Sequence, residues 1–178
     1  MKNNTAFTII CLWTSMLSFG QQNNISTINQ STIMDTINQN SVNATIEIKA
    51  ATTEIWEVLI NPECIAKYIG STIQTDWKVG SPITWKGEMN GVKYVNKGTV
   101  LEAQPNQLLR YTYWSGLGGD ADLPENYSEI TYTLRQLDGS TVELTYSRIK
   151  IPTEMETQIF KSHIQSVLNE IKKIAERE

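Results

Sequence analysis

The side chains best suited to bind or act on another molecule are aromatic, and they recur at alternate positions of several segments. Tyr111 and Tyr113 lie two residues apart, and Tyr132 and Tyr146 occupy similar alternating segments further along, as Trp85 does earlier. Residues two apart on a strand share a face of the sheet. A tyrosine joins a large apolar ring to a hydroxyl that needs a partner when it is buried. These five residues are therefore predicted to contact an amphipathic ligand, with ordinary core packing as the alternative for each of them.

Two further polar side chains are candidates for anchoring a ligand. His163 is the only histidine, and it is expected at the edge of an apolar helical stripe, one turn after Phe160. Histidine is the side-chain type that most readily changes its charge near neutral pH, so His163 is included among the predicted ligand-binding residues, with a general-base role or a structural role as alternatives. Arg148 shares its strand phase with Tyr146 and could hold a carboxylate. A position in water beyond the sheet edge is the favoured interpretation for Arg148.

The sequence contains no recognisable catalytic or metal-binding constellation. Cys64 has no partner set and is expected to be a small buried hydrophobe. The glycine-rich segment 115–125 lacks the lysine of a phosphate loop, and Asp120 and Asp122 lack the other ligands of a calcium loop. We therefore expect no catalytic residue, no metal and no cofactor, and we interpret 115–125 as a connection or a lid over a cavity.

Composition indicates a globular domain without a nucleic-acid partner. The chain has 178 residues, of which 40% are hydrophobic and 19% charged, with a formal net charge of −4. An acidic chain without a cluster of lysine and arginine is poorly suited to bind phosphate backbones. The length is enough for a substantial core.

The first part of the chain has the layout of a secretory leader. Residues 1–20 combine a short, weakly positive start, an apolar run and small residues before Gln21, which predicts a signal peptide. Residues 21–41 are rich in Asn, Gln, Ser and Thr and are interpreted as a flexible spacer. Residues 42–178 are predicted to form the domain. The expected product is exported, periplasmic or secreted, without stable membrane insertion after removal of the leader; an uncleaved leader acting as a membrane anchor is the alternative.

The domain alternates between strand and helix patterns in a defined order. A half-buried strand at 42–50 is followed by two short helices, the first capped by Thr52 or Thr53 and the second opened by Asn61 and Pro62. Strands are then predicted at 73–77, 83–88, 92–103, 108–114, 127–135 and 141–149. A helix of more than twenty residues follows, with one apolar stripe that must pack on the sheet. The predicted fold class is α+β, with an enclosed space between helix and sheet.

Several of these segments together resemble a known superfamily. They are IEIKAATTEIWEVLINPE, VGSPITWKG, KGTVLEAQPNQLLRYTY, YSEITYTL and GSTVELTY, within residues 44–147. They resemble the START-like (SRPBCC, helix-grip) superfamily and, within it, the family named for the activator of heat-shock protein 90 ATPase. The resemblance implies a curved antiparallel sheet wrapped around a long C-terminal helix, with two short helices between strands 1 and 2.

Three functions remain open at the level of sequence. The first is the binding of a hydrophobic or aromatic small molecule in the cavity between sheet and helix. The second is a protein-interaction domain, like a co-chaperone, which predicts a closed cavity and an exposed apolar patch. The third is a cyclase-like or dehydratase-like enzyme, which would need His163 and the tyrosines to converge on one bound atom.

Overall fold

The computed structural model describes residues 40–177 of the chain. The predicted signal peptide at 1–20 and nearly all of the predicted spacer at 21–41 lie outside the described residues. Within residues 40–177, no helix is both long enough and apolar enough to cross a membrane.

Seven antiparallel strands form one curled sheet. The strands are β1 (Val42–Ile48), β2 (Thr72–Gln74), β3 (Pro82–Met89), β4 (Val92–Gln104), β5 (Leu108–Tyr113), β6 (Ser128–Gln136) and β7 (Val142–Ile149). Their order across the sheet is β1-β7-β6-β5-β4-β3-β2, so the two strands flanking the short helices lie at opposite edges. The helices are α1 (Thr52–Ile60), α2 (Pro62–Ile69) and α3 (Glu154–Ala175). This is the predicted α+β helix-grip architecture, which the structure confirms.

Alternation along the strands puts one face of the sheet in the core, as predicted. In β7 the buried positions are Val142, Leu144, Tyr146 and Arg148, and the residues between them are more exposed. In β6 the buried positions are Ser128, Ile130, Tyr132 and Leu134. Both strands therefore present a mixture of aliphatic, phenolic and polar side chains to α3.

Local capping fixes the ends of the helices. Asn61 caps α2 by accepting hydrogen bonds from the amides of Glu63 and Cys64, as predicted. The prediction of Thr52 or Thr53 as the cap of α1 is wrong, because the helix begins at Thr52 and Ala51 is its cap. The Ala51 amide instead donates to a carboxylate oxygen of Glu54 at 3.0 Å. The capping hydrogen bond at the start of α1 is therefore made by the carboxylate of Glu54, in the first turn, and not by a threonine hydroxyl.

The long helix closes the concave side of the sheet. Thr153 caps α3 by accepting from the amide of Glu156 at 3.2 Å. The helix packs most closely against β1, α1 and α2. Its fully or nearly fully buried residues are Thr157, Ile164, Leu168, Ile171 and Ala175. Over the middle strands, the space between backbone and helix is occupied by large aromatic side chains of the sheet, and these form the candidate site.

Candidate functional site

Five of the predicted ligand-binding residues come together on the inner face of the sheet. Trp85 packs against Tyr111 with ring centroids 5.6 Å apart and against Tyr113 at 5.3 Å. Tyr132 and Tyr146 are direct cross-strand partners, with centroids 5.3 Å apart in an edge-to-face arrangement. We call these five residues the aromatic cluster.

Tyr68 of α2 extends the aromatic cluster. Its side chain packs against the core, and its phenol interacts electrostatically with that of Tyr132. Ile69, the next residue of α2, is exposed.

Arg148 lies inside the site and not in water beyond the sheet edge, so the favoured prediction for this residue is wrong. Its side chain is buried, with 4% of the residue exposed. The guanidinium carbon lies 3.5 Å from the ring centroid of Phe160 and 4.6 Å from that of Tyr113. Its Nε donates to the Ser128 hydroxyl at 2.9 Å. Two aromatic faces and a hydroxyl therefore position a buried cation.

A short polar chain connects this arginine to the loop that follows β5. The Ser128 hydroxyl also donates to the carbonyl oxygen of Tyr113 at 3.1 Å. The phenol of Tyr113 accepts from Nδ2 of Asn96 at 2.7 Å, and Oδ1 of Asn96 accepts from the Gly116 amide at 3.0 Å. Asn96 and Ser128 are buried. The sequence analysis did not identify either residue as part of the site. The feature that could have identified them is a polar side chain at an inward-facing position of a strand.

Burial controls the ionisation of the phenols. It raises the pKa of Tyr68, Tyr111 and Tyr132 well above the usual value, and it also raises the pKa of Tyr146. The positive charge of Arg148 opposes this effect at Tyr111, Tyr132 and Tyr146. The cluster is therefore a set of neutral hydroxyls around one fixed cation, suited to bind a polar group rather than to transfer protons near neutral pH.

These raised pKa values predict a loss of stability at alkaline pH. A folded tyrosine with a raised pKa keeps its proton while the unfolded chain loses it, so stability is complete below the unfolded pKa of about 10 and falls above it. Thermal unfolding followed between neutral pH and about pH 11 should show this decline, and the Tyr132→Phe variant should show a shallower one. Identical pH profiles for wild type and variant would contradict the raised pKa of Tyr132.

The structure does not bring His163 to the aromatic cluster. The residue is exposed, and its Nδ1 lies 2.8 Å from the carbonyl oxygen of Ile159 and 2.9 Å from the Ser162 hydroxyl. It follows Met155 and Ile159 at four-residue intervals on a side of α3 that faces away from the sheet. Its participation in ligand binding stays a prediction, and the convergence that the enzyme hypothesis needed is not observed.

The loop at 115–125 is held in place at its second half. Trp114 stacks on Tyr127, and its indole nitrogen donates to the carbonyl oxygen of Ala121 at 3.1 Å. Asp122 accepts hydrogen bonds from Lys97 and from the Tyr127 hydroxyl. The first half reaches α3, since a Cβ on Gly118 would lie 3.3 Å from Oε1 of Glu156. The loop thus borders the aromatic cluster near the start of α3.

Within residues 40–177, two surface pockets lie away from the aromatic cluster. One, of about 540 Å³, lies between the end of α2 and the β3–β4 hairpin, where the Ser71 and Tyr94 hydroxyls are 2.8 Å apart. The other lies between α1 and the end of α3 and includes Cys64, which is only partly buried. Among residues 40–177, no three His, Cys, Asp or Glu side chains are grouped so that they could hold a metal ion.

The fold and this interior together define a helix-grip protein of the START-like class. The sequence profile described as Activator of Hsp90 ATPase homolog 1-like protein matches residues 49–176. The chain therefore belongs to that family, as its sequence motifs had predicted.

Solved structures agree with this assignment. A protein from Cytophaga hutchinsonii, determined in solution, is 38% identical with a TM-score of 0.66, and the match covers 77% of this chain and 94% of that chain. The Aha1 dimer from Colwellia psychrerythraea is 21% identical with a TM-score of 0.58, over 76% of this chain and 96% of that one. CalU16 from Micromonospora echinospora is 16% identical with a TM-score of 0.59, over 76% and 75%. The last two show the fold alone, and no match is found among curated proteins.

Proposed function

We propose that this protein binds a small amphipathic molecule between the sheet and α3. The observation that carries the proposal is the polar character of the interior, where the buried guanidinium of Arg148 interacts electrostatically with the buried phenols of Tyr111, Tyr132 and Tyr146. Burying such groups costs free energy unless each is paired, whereas aliphatic residues would fill the same space at less cost. A ligand that uses these groups gives a reason for their presence.

The proposed entrance lies where the loop at 115–125 meets the start of α3. Phe160 is only partly buried and forms the outer cover of Arg148. The second half of the loop is fixed by Trp114 and Asp122, while Leu117 in its first half is exposed. A rotation of the Phe160 side chain with a shift of residues 116–119 would expose the guanidinium and the phenols behind it. The apolar part of the ligand would then take the place of ring–ring contacts within the aromatic cluster.

Native mass spectrometry of the protein purified after expression of the full-length sequence tests this proposal. We expect a discrete small molecule to be retained under native conditions and released by solvent, because a site enclosed between sheet and helix buries most of its ligand. Tyr132→Trp should reduce the retained fraction at least about tenfold by filling the site. The matched control is Tyr127→Trp, since Tyr127 stacks on Trp114 on the other side of the sheet. The same spectrum reports whether residues 1–20 have been removed, as the proposed export requires.

A protein partner is the second candidate function, favoured by a separate observation. Met155 and Ile159 lie one turn apart on α3 and are 72% and 50% exposed, and Leu117 in the adjoining loop is 42% exposed. Exposed apolar residues of this size often mark interaction sites. If the protein acts as its family description suggests, it should stimulate the ATPase of an Hsp90, and replacing Met155 and Ile159 with serine should abolish the stimulation. Retained stimulation by that double variant would count against this surface.

A further inference from the structure

The buried Arg148 lacks the carboxylate partner that each of the other arginines has. Arg110, which is partly buried, pairs with Glu102, and the more exposed Arg135 and Arg177 pair with Glu143 and Glu54. Arg148 is the remaining arginine of the chain. Among residues 40–177, no carboxylate lies within 4.0 Å of its guanidinium. Buried cations in folded proteins are normally paired with an anion, so this arrangement is unusual for a purely structural residue.

The surroundings of Arg148 restrict how an anion could reach it. The rings of Tyr113 and Phe160 both lie against the guanidinium, with centroids 4.6 and 3.5 Å from its central carbon. On one edge, Nε is taken by Ser128. The Tyr146 phenol also interacts electrostatically with the guanidinium. A guanidinium carries five N–H donors, four of them on its two terminal nitrogens, and this end of the group is the one that forms paired hydrogen bonds with a carboxylate.

The charge of the site favours a singly charged anion. Arg148 is the only charged residue among the buried residues of the described chain. A carboxylate would neutralise one guanidinium, whereas a phosphate monoester carries about −1.5 to −2 at neutral pH and would leave negative charge buried. The phenols of Tyr111 and Tyr132 interact electrostatically with Arg148 and have raised pKa values, so they are neutral near neutral pH and add no negative charge that would repel an anion.

We infer that Arg148 anchors the carboxylate of a monocarboxylic acid whose apolar aliphatic or aromatic body lies against the aromatic cluster. This inference rests on the proposed function and adds the chemical class of the ligand. Tyr113 and Phe160 keep the guanidinium in place before the ligand arrives, and Ser128 fixes its orientation. Arg148 is thus a binding residue, and the ligand supplies the counter-ion that the protein itself does not.

Matched acids and amides test the inference directly. The probes are decanoate with decanamide and phenylbutanoate with phenylbutanamide, titrated calorimetrically into the full chain. Wild type should bind each acid at least about tenfold more tightly than its amide, since a charge-assisted pair is lost in the amide. Arg148→Met should weaken acid binding at least about tenfold and leave amide binding unchanged. Arg135→Met makes the same change at an exposed, ion-paired arginine and should alter neither.

Each other outcome has a defined meaning. Equal affinities of acid and amide for wild type would overturn the carboxylate anchor while leaving the proposed function intact. An absence of binding by all four probes would contradict both. The wild-type comparison does not depend on whether Arg148→Met folds. A structural role for Arg148 would instead lower the melting temperature of the variant without any acid preference in wild type, whereas we expect the unliganded variant to melt no lower than wild type.

Discussion

Replacing Gly98 with alanine is expected to lower the free energy of unfolding by about 3 kcal/mol, because the new methyl group would overlap backbone atoms. A Cβ at this position would lie 2.0 Å from the carbonyl oxygen of Thr112 and 3.1 Å from Cζ3 of Trp85. Gly98 pairs with Ile83 of β3, and the β4–β5 register shifts between Val100 and Glu102. The close approach therefore lies where β4 passes from one neighbouring strand to the other.

Chemical denaturation of Gly98→Ala beside Gly139→Ala measures this effect. Nothing lies within 4 Å of a Cβ placed on Gly139, which is in the β6–β7 turn, so that variant should be within about 0.5 kcal/mol of wild type. Because Thr112 directly precedes Tyr113, Gly98→Ala should also weaken ligand retention. Equal stabilities of the two variants would show that β4 and β5 can separate at little cost.

Strand periodicity was sufficient to predict the face on which most site residues lie. A period of two assigns Tyr111, Tyr132 and Tyr146 to the inner side of their strands, and the register then makes Tyr132 and Tyr146 direct neighbours. The inner position of these tyrosines therefore follows from the local strand pattern, and the register brings them together.

The burial of Arg148 could not be predicted from the sequence of its own strand. Its strand phase indicated the inner face, but a charged residue near the end of a strand ordinarily reaches water. It is enclosed because the rings of Phe160 of α3 and Tyr113 of β5 both lie against its guanidinium. The position of α3 over the sheet decides this, and that position results from contacts with β1, α1 and α2.

The location of His163 was hard to predict for a related reason. Helix α3 carries apolar residues along two lines, one containing Ile164 and Leu168 and the other Met155 and Ile159. Only the first packs on the sheet, and His163 continues the second. Periodicity places His163 at the edge of the first line but does not decide whether a residue at that edge is covered.

The strand predicted at 73–77 shows how a tertiary contact can shorten an element. Strand β2 ends at Gln74, and Trp77 adopts a positive φ of 59°. Its indole nitrogen donates to the carbonyl oxygen of Ile60 at the end of α1, at 2.8 Å. The strand propensity of the segment is overridden because this hydrogen bond ties the chain to the helix.

Truncation of Ile171 to alanine should destabilise the fold by about 3 kcal/mol, whereas the same change at Ile159 should cost less than about 0.5 kcal/mol. Both isoleucines lie on α3, but Ile171 is fully buried and Ile159 is 50% exposed. The larger loss combines the transfer of buried methyl and methylene groups with the cavity left beneath the helix.

Denaturant unfolding of the two variants separates the effect of burial from the effect of helix propensity. Both variants replace an isoleucine with alanine in the same helix, so the change in helix propensity is the same. Ligand retention adds a second comparison. Ile171→Ala loosens the covering helix and should reduce both stability and retention, while Ile159→Ala should preserve both and, if a protein partner binds there, weaken only that association. Equal losses of stability at the two positions would mean that the Ile159 side of α3 is also covered in solution, since only a contact would make an exposed isoleucine as costly to truncate as a buried one.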